Sequence, residues 1–153
     1  MGRWSHTNTC QELVRALTAA GLAAAAPASV AGNGLVAGSP AQLAHKKNLC
    51  SGATPVKHSH FFNASGDFGS IDQDGQQVDD GSYRLTDPHT LMIGHTTFRV
   101  VITKDTLRMT PVITKAAARA AMAHPGKFSD AAWSVAVAYP GETWHRVPCG
   151  GWC

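Results

Sequence analysis

The chain has 153 residues, room for one domain that buries about two thirds of its unfolded surface around one core, here residues 1–153. Charged residues make up only 15% against an ordinary value of about 25%, which argues against a disordered acidic tail or a polybasic arm. The net charge of +3 is mixed in sign and no basic run exceeds Lys46-Lys47, which argues against a nucleic-acid groove.

Taken in chain order, "GRWSH" opens as a strand. "TCQELVRALTAAG" then carries a capping box, Thr9 with Glu12, followed by Leu13, Val14 and Leu17 on one face and Gly21 as a stop. "LAAAAPASVAGNGLVAG" is long for an unstructured connection, and a partial helix or a flap is expected there. "SPAQLAHKK" repeats the capping logic with Ser39, Pro40 and Gln42, so a second, short helix follows.

From residue 56 the pattern changes to short β-prone runs: "VKHSHFF", "DFGSI", "QQVDDGSYRL", "TLMIG", "TTFRVVI", "TLRMTPVI", "AAWSVAVAY" and "ETWHRV", separated by "NASG", "DQDG", "TDPH", "TKD" and "PGE". With the opening strand this makes about nine, and that many sequential hairpins dispose of their edges by closing into a barrel or folding into a sandwich. The barrel is the preferred reading. A third helix, "TKAAARAAMAHPG", interrupts the last hairpins and ends at Pro125 and Gly126. The expected fold class is therefore mainly β with an α component: an antiparallel up-and-down barrel, two helices after the first strand as a lid (about 9–50), and a third short helix before the last strands.

No apolar stretch approaches the roughly 18 residues that cross a bilayer, and "MGRWSHTNTC" lacks the pattern of a signal peptide. The four cysteines, Cys10, Cys50, Cys149 and Cys153, contain no C-x-x-C pair, which favours disulfides over zinc. Cys10 and Cys50 flank the predicted helical segment and are the preferred pair, leaving Cys149 with Cys153; buried free thiols are the alternative. A bridged chain belongs in a secreted or cell-envelope setting, its leader removed; an unbridged one is cytoplasmic.

His58 and His60 are two residues apart on a predicted strand, so they share a face with Cβ atoms roughly 7 Å apart. Two ligands do not make a metal site, and His89, His95 and His145 fall in no recognisable metal pattern. The preferred reading puts both imidazoles, neutral and hydrogen-bonded, inside the barrel with Val56 and Phe62, while Lys57 and Ser59 face out. "DFGSIDQDGQQVDDG" is acidic but has no glutamate closing a calcium loop, so Asp74-Gly75 and Asp80-Gly81 read as turns. No nucleophile motif is present.

"GRW" resembles the Gly-x-Trp that opens calycin barrels, and "WHR" is similar to the segment supplying their cation. That resemblance implies Trp4 at the barrel base with Arg146 packed across its indole. The order strand, two helices, hairpins resembles the intracellular lipid-binding proteins, but no Arg-x-Tyr clamp is present, so a fatty acid is not implied. Blocks such as "CQELVRALTAAGL", "GATPVKHSHFF", "FGSIDQDGQQVDDGSYRL" and "WSVAVAYPGETWHRV" are similar to those of small actinobacterial proteins, a resemblance that implies no activity.

The expected function is binding of a small, partly apolar molecule in the barrel lumen. The candidate ligand-binding residues are His58, His60, Arg99, Arg108, Tyr83 and Trp133; no catalytic residue, metal ligand or cofactor is assigned. The alternatives are a barrel hydrolase or isomerase using the histidine pair with Asp67 and Arg99, and a secreted interaction protein with a filled core. A monomer is expected, with no nucleic-acid partner and no membrane span.

Overall fold

The computed structural model describes residues 1–153. The strands are β1 (Gly2–Asn8), β2 (Val56–Phe62), β3 (Asp67–Ile71), β4 (Gln77–Asp87), β5 (Thr90–Ile93), β6 (Thr96–Ile102), β7 (Thr106–Pro111) and β8 (Trp144–Val147). The helices are α1 (Cys10–Ala19), α2 (Ala26–Gly32), α3 (Pro40–Ala44), α4 (Lys115–Ala123) and α5 (Asp130–Ala138). The chain divides into two compact units: Met1–Thr7 with Lys57–Val112 and Pro140–Cys153, and Asn8–Val56 with Ile113–Tyr139.

The first unit is a closed barrel whose eight strands follow one another in sequence order. An antiparallel ring closes only on an even number of strands, because each neighbour must reverse direction all the way round. Nine would leave one parallel seam. The ninth expected strand, "AAWSVAVAY", is instead helix α5.

Register decides what lies inside. Directly opposed residues of neighbouring strands share a face. Phe62 opposes Phe68, His60 opposes Ser70, Leu91 opposes Phe98, Val100 opposes Met109, and Leu107 opposes Trp144. All of these are buried, and ring contacts running from Trp4 through Phe62, Phe68 and His60 to Trp144 mark their face as the lumen. Trp4 opposes Arg146, whose guanidinium stands 5.5 Å from the indole centroid. A Cβ at Gly2 would come within 2.9 Å of Arg146 Nη2 and 3.1 Å of Trp4 Cη2, so the glycine is what lets the cation lie across the ring.

Part of the outer face is also covered. Phe61, pointing away from the lumen, stacks on Trp152 at 5.4 Å, and Trp152 sits in the small loop closed by Cys149–Cys153. Gly69 opposes Phe61, and any side chain at that position would collide with the ring. With Phe61 under this second layer and Ser59 accepting from Arg3 Nε at 3.0 Å, Ser59 through Phe62 are buried without alternation.

Asp72 begins the β3–β4 turn, accepting backbone hydrogen bonds from Asp74 at 3.0 Å and Gln76 at 2.8 Å, with Gly75 at φ +80°. Asp80-Gly81 does not turn the chain: it lies within β4, opposite Gly69 and Phe68.

In the second unit, Thr9 and Glu12 close the capping box of α1, and Ser39 and Gln42 that of α3. Ala23–Ala25 forms a 3-10 turn leading into α2, which tolerates Pro27 in its first turn. Cys10 and Cys50 are disulfide-bonded, Cα atoms 5.6 Å apart, tying α1 to the segment after α3. Leu13, Leu17, Leu22, Val30, Leu35 and Val135 are fully buried. Thr114 caps α4 and Ser129 caps α5. No helix is long and apolar enough to cross a membrane.

Candidate functional site around His58

The lumen holds a column of aromatic rings. Trp4 meets Phe62 edge-on at 5.7 Å, Phe62 meets Phe68 at 5.3 Å, and Phe68 meets His60 at 5.3 Å. His60 then lies against Trp144, ring centroids 4.3 Å apart and planes tilted by 33°. At the far side of this contact, His58 stands edge-on to both His60 (5.1 Å) and Trp144 (6.5 Å). Two residues of strand spacing put the imidazoles on one face, and the β2–β3 hairpin places Ser70 beside the deeper one.

The two histidines are not equivalent. His60 is fully buried, and its Nδ1 is 2.9 Å from Ser70 Oγ. That bond fixes the ring and removes a polar penalty from an otherwise apolar layer. His58 is only half-buried. Its backbone carbonyl accepts from Ser5 Oγ at 2.9 Å, but its imidazole forms ring contacts only and no side-chain hydrogen bond. Burial pushes its pKa down to about 4, partly opposed by the negative charge of Asp72. At neutral pH it is an uncharged ring with one donor and one acceptor nitrogen.

The other expected ligand residues do not gather here. Arg99 alternates with buried Phe98 and Val100, so it faces outward, where it donates to Thr90 Oγ1 at 2.9 Å. Arg108 is likewise on the outer face and donates to Thr143 Oγ1 at 2.9 Å. Trp133 is on α5 in the second unit. Tyr83 points inward, edge-on to Phe62 at 5.0 Å, but its hydroxyl is committed to Asn63 O at 2.7 Å. Burial, with the charge of Asp67 adding, raises its pKa.

Asp67 is exposed at the start of β3 and binds the Asn63 amide at 2.9 Å, so the carboxylate and arginine that a histidine-based enzyme would need lie outside the lumen. His89 and His95 are exposed in turns, and His145 is exposed on β8, where it alternates with buried Trp144. The residues sequence reasoning missed are Ser70 and Trp144. Both were within reach: once Arg146 lies over Trp4, Trp144 two residues earlier must face inward as well, and pairing Phe62 with Phe68 places Ser70 opposite His60.

Comparison of the chain with protein-family models, with curated proteins and with solved structures returns no match.

Proposed function

We propose that the protein is a small-molecule-binding barrel whose ligand is partly apolar and is anchored by the imidazole of His58. The observation that carries this reading is the state of His58: half-buried, uncharged at neutral pH and without a side-chain hydrogen-bond partner. An imidazole so placed has lost part of its hydration and regained no bond, so a ligand hydroxyl or carbonyl offers a net gain. His60 is the support, held by Ser70. The two disulfides support an oxidising, extracellular setting. The Gly2-x-Trp4 opening, with Arg146 across the indole, supports a calycin-like relationship.

The test compares 1-naphthol, which has one hydroxyl, with naphthalene, which has none. Naphthol should bind about fivefold more tightly, the margin of one neutral hydrogen bond, and the margin should vanish in His58→Phe. Equal affinities in the wild-type protein would sink the anchor role. That outcome is the one expected of a second reading, an interaction protein with a filled core, which the continuous column from Trp4 to Trp144 favours.

A further inference from the structure

We propose a second binding site at the base of the barrel, where the indole Nε1 of Trp4 receives the carbonyl oxygen of a slender alkyl ketone, aldehyde or ester. Trp4 is only 3% exposed, and its Nε1 has no hydrogen-bond partner. Indole N–H is a donor and cannot accept, so the group that satisfies it must bring a lone pair. A buried donor left unmatched carries a desolvation penalty that few native positions tolerate.

The surroundings select the rest of the ligand. Trp4 lines a small pocket of about 30 Å³ whose floor is Phe62, Leu91 and Leu107. That exceeds the roughly 10–15 Å³ that one water-sized group needs, so the polar end of a ligand fits and a whole ligand does not. Tyr83 is the other polar side chain lining the pocket, and its proton is already given to Asn63 O. The alkyl chain must therefore lie over the rim. There Met1, Leu85 and Ile102 are 69%, 51% and 43% exposed, an apolar surface that water covers poorly.

The site is also built, not incidental. Arg146 lies over the Trp4 ring and donates to Met1 O at 2.7 Å and to Lys104 O at 3.1 Å, joining the first residue to the β6–β7 turn beneath the indole. This base is reached from the end of β2 carrying Phe62, whereas His58 lies at the start of that strand. The two sites are separate, and neither depends on the other.

2-Octanone is the probe, and the Trp4 indole proton is the reporter, assigned in a ¹H–¹⁵N spectrum by its loss in Trp4→Phe. Titration should move that resonance saturably, and Trp4→Phe should bind the ketone about tenfold more weakly. Ile102→Asp, on the exposed rim, should weaken binding while leaving the ketone-free Trp4 resonance in place; it decides the matter if Trp4→Phe does not fold. His58→Phe should change nothing. An indole resonance that stays put at saturating ketone overturns the proposal. So does a water molecule still bound to that proton at saturation, or an Ile102→Asp variant that binds as the wild type does.

Discussion

His58 and His60 are chemically identical side chains separated by one residue, and their roles diverge through what lies beside each nitrogen. Ser70 gives His60 a partner inside a closed apolar layer. His58 has only ring edges around it, and its pKa falls to about 4 through burial. The consequence for stability has a definite sign. Above pH 6.5 the ring is neutral both folded and unfolded and contributes no pH dependence. Between pH 6.5 and about 4 the unfolded chain takes up the proton and the folded one does not, so stability falls with pH and levels off below. The full effect is about 3 kcal/mol. Urea denaturation at pH 7 and pH 4 should show the wild-type protein losing about that much more than His58→Asn. Parallel losses in the two proteins would mean that the ring titrates normally.

At the scale of the element, "DAAWSVAVA" shows how burial erases a pattern. Seven of its nine residues are buried, among them Ala131, Ser134, Val135 and Val137, so apolar positions fall on every side and neither a period of 2 nor one of 3.6 stands out. Apparent alternation of Trp133, Val135 and Val137 then reads as a strand. The deciding local signal is the cap: Ser129 Oγ accepts from the Ala132 amide at 3.2 Å, with Asp130 in the first turn. Ser129→Ala should cost about 1 kcal/mol in thermal or chemical denaturation. An unchanged midpoint would argue that the hydroxyl does not cap a helix.

For the whole molecule, the second unit is discontinuous in sequence, Asn8–Val56 and Ile113–Tyr139, and small side chains fill much of it. Such a unit gains from covalent restraint of its unfolded state. Cys10–Cys50 spans 40 residues, and the chain-entropy estimate for such a loop is about 4 kcal/mol. Cys149–Cys153 spans 4, for which the same estimate is about 2 kcal/mol. Replacing the first pair by serine should therefore lower the denaturation midpoint more than replacing the second. The reverse order would show that fixing Trp152 over Phe61 matters more than loop closure.

Much was legible without coordinates because it is local. Capping boxes at Thr9 and Ser39, the end of α4 before Pro125, and the Asp72–Gly75 turn each depend on side chains within a few residues of the backbone they bind. The pairing of Cys10 with Cys50 followed from their positions flanking the helical segment. What only the tertiary structure decided is where each strand's faces point and what stands opposite. Ring closure turned Arg99 and Arg108 outward, away from the histidines, while the barrel register set Ser70 beside His60 and Trp144 against both rings. Asp80-Gly81 has the composition of a turn yet runs straight through β4, because its partners across the ladder, Gly69 and Phe68, are supplied by another strand. Local side-chain chemistry acts over one turn of chain, whereas register and burial are set by contacts between segments distant in sequence, and the period of the apolar residues vanishes where burial is complete.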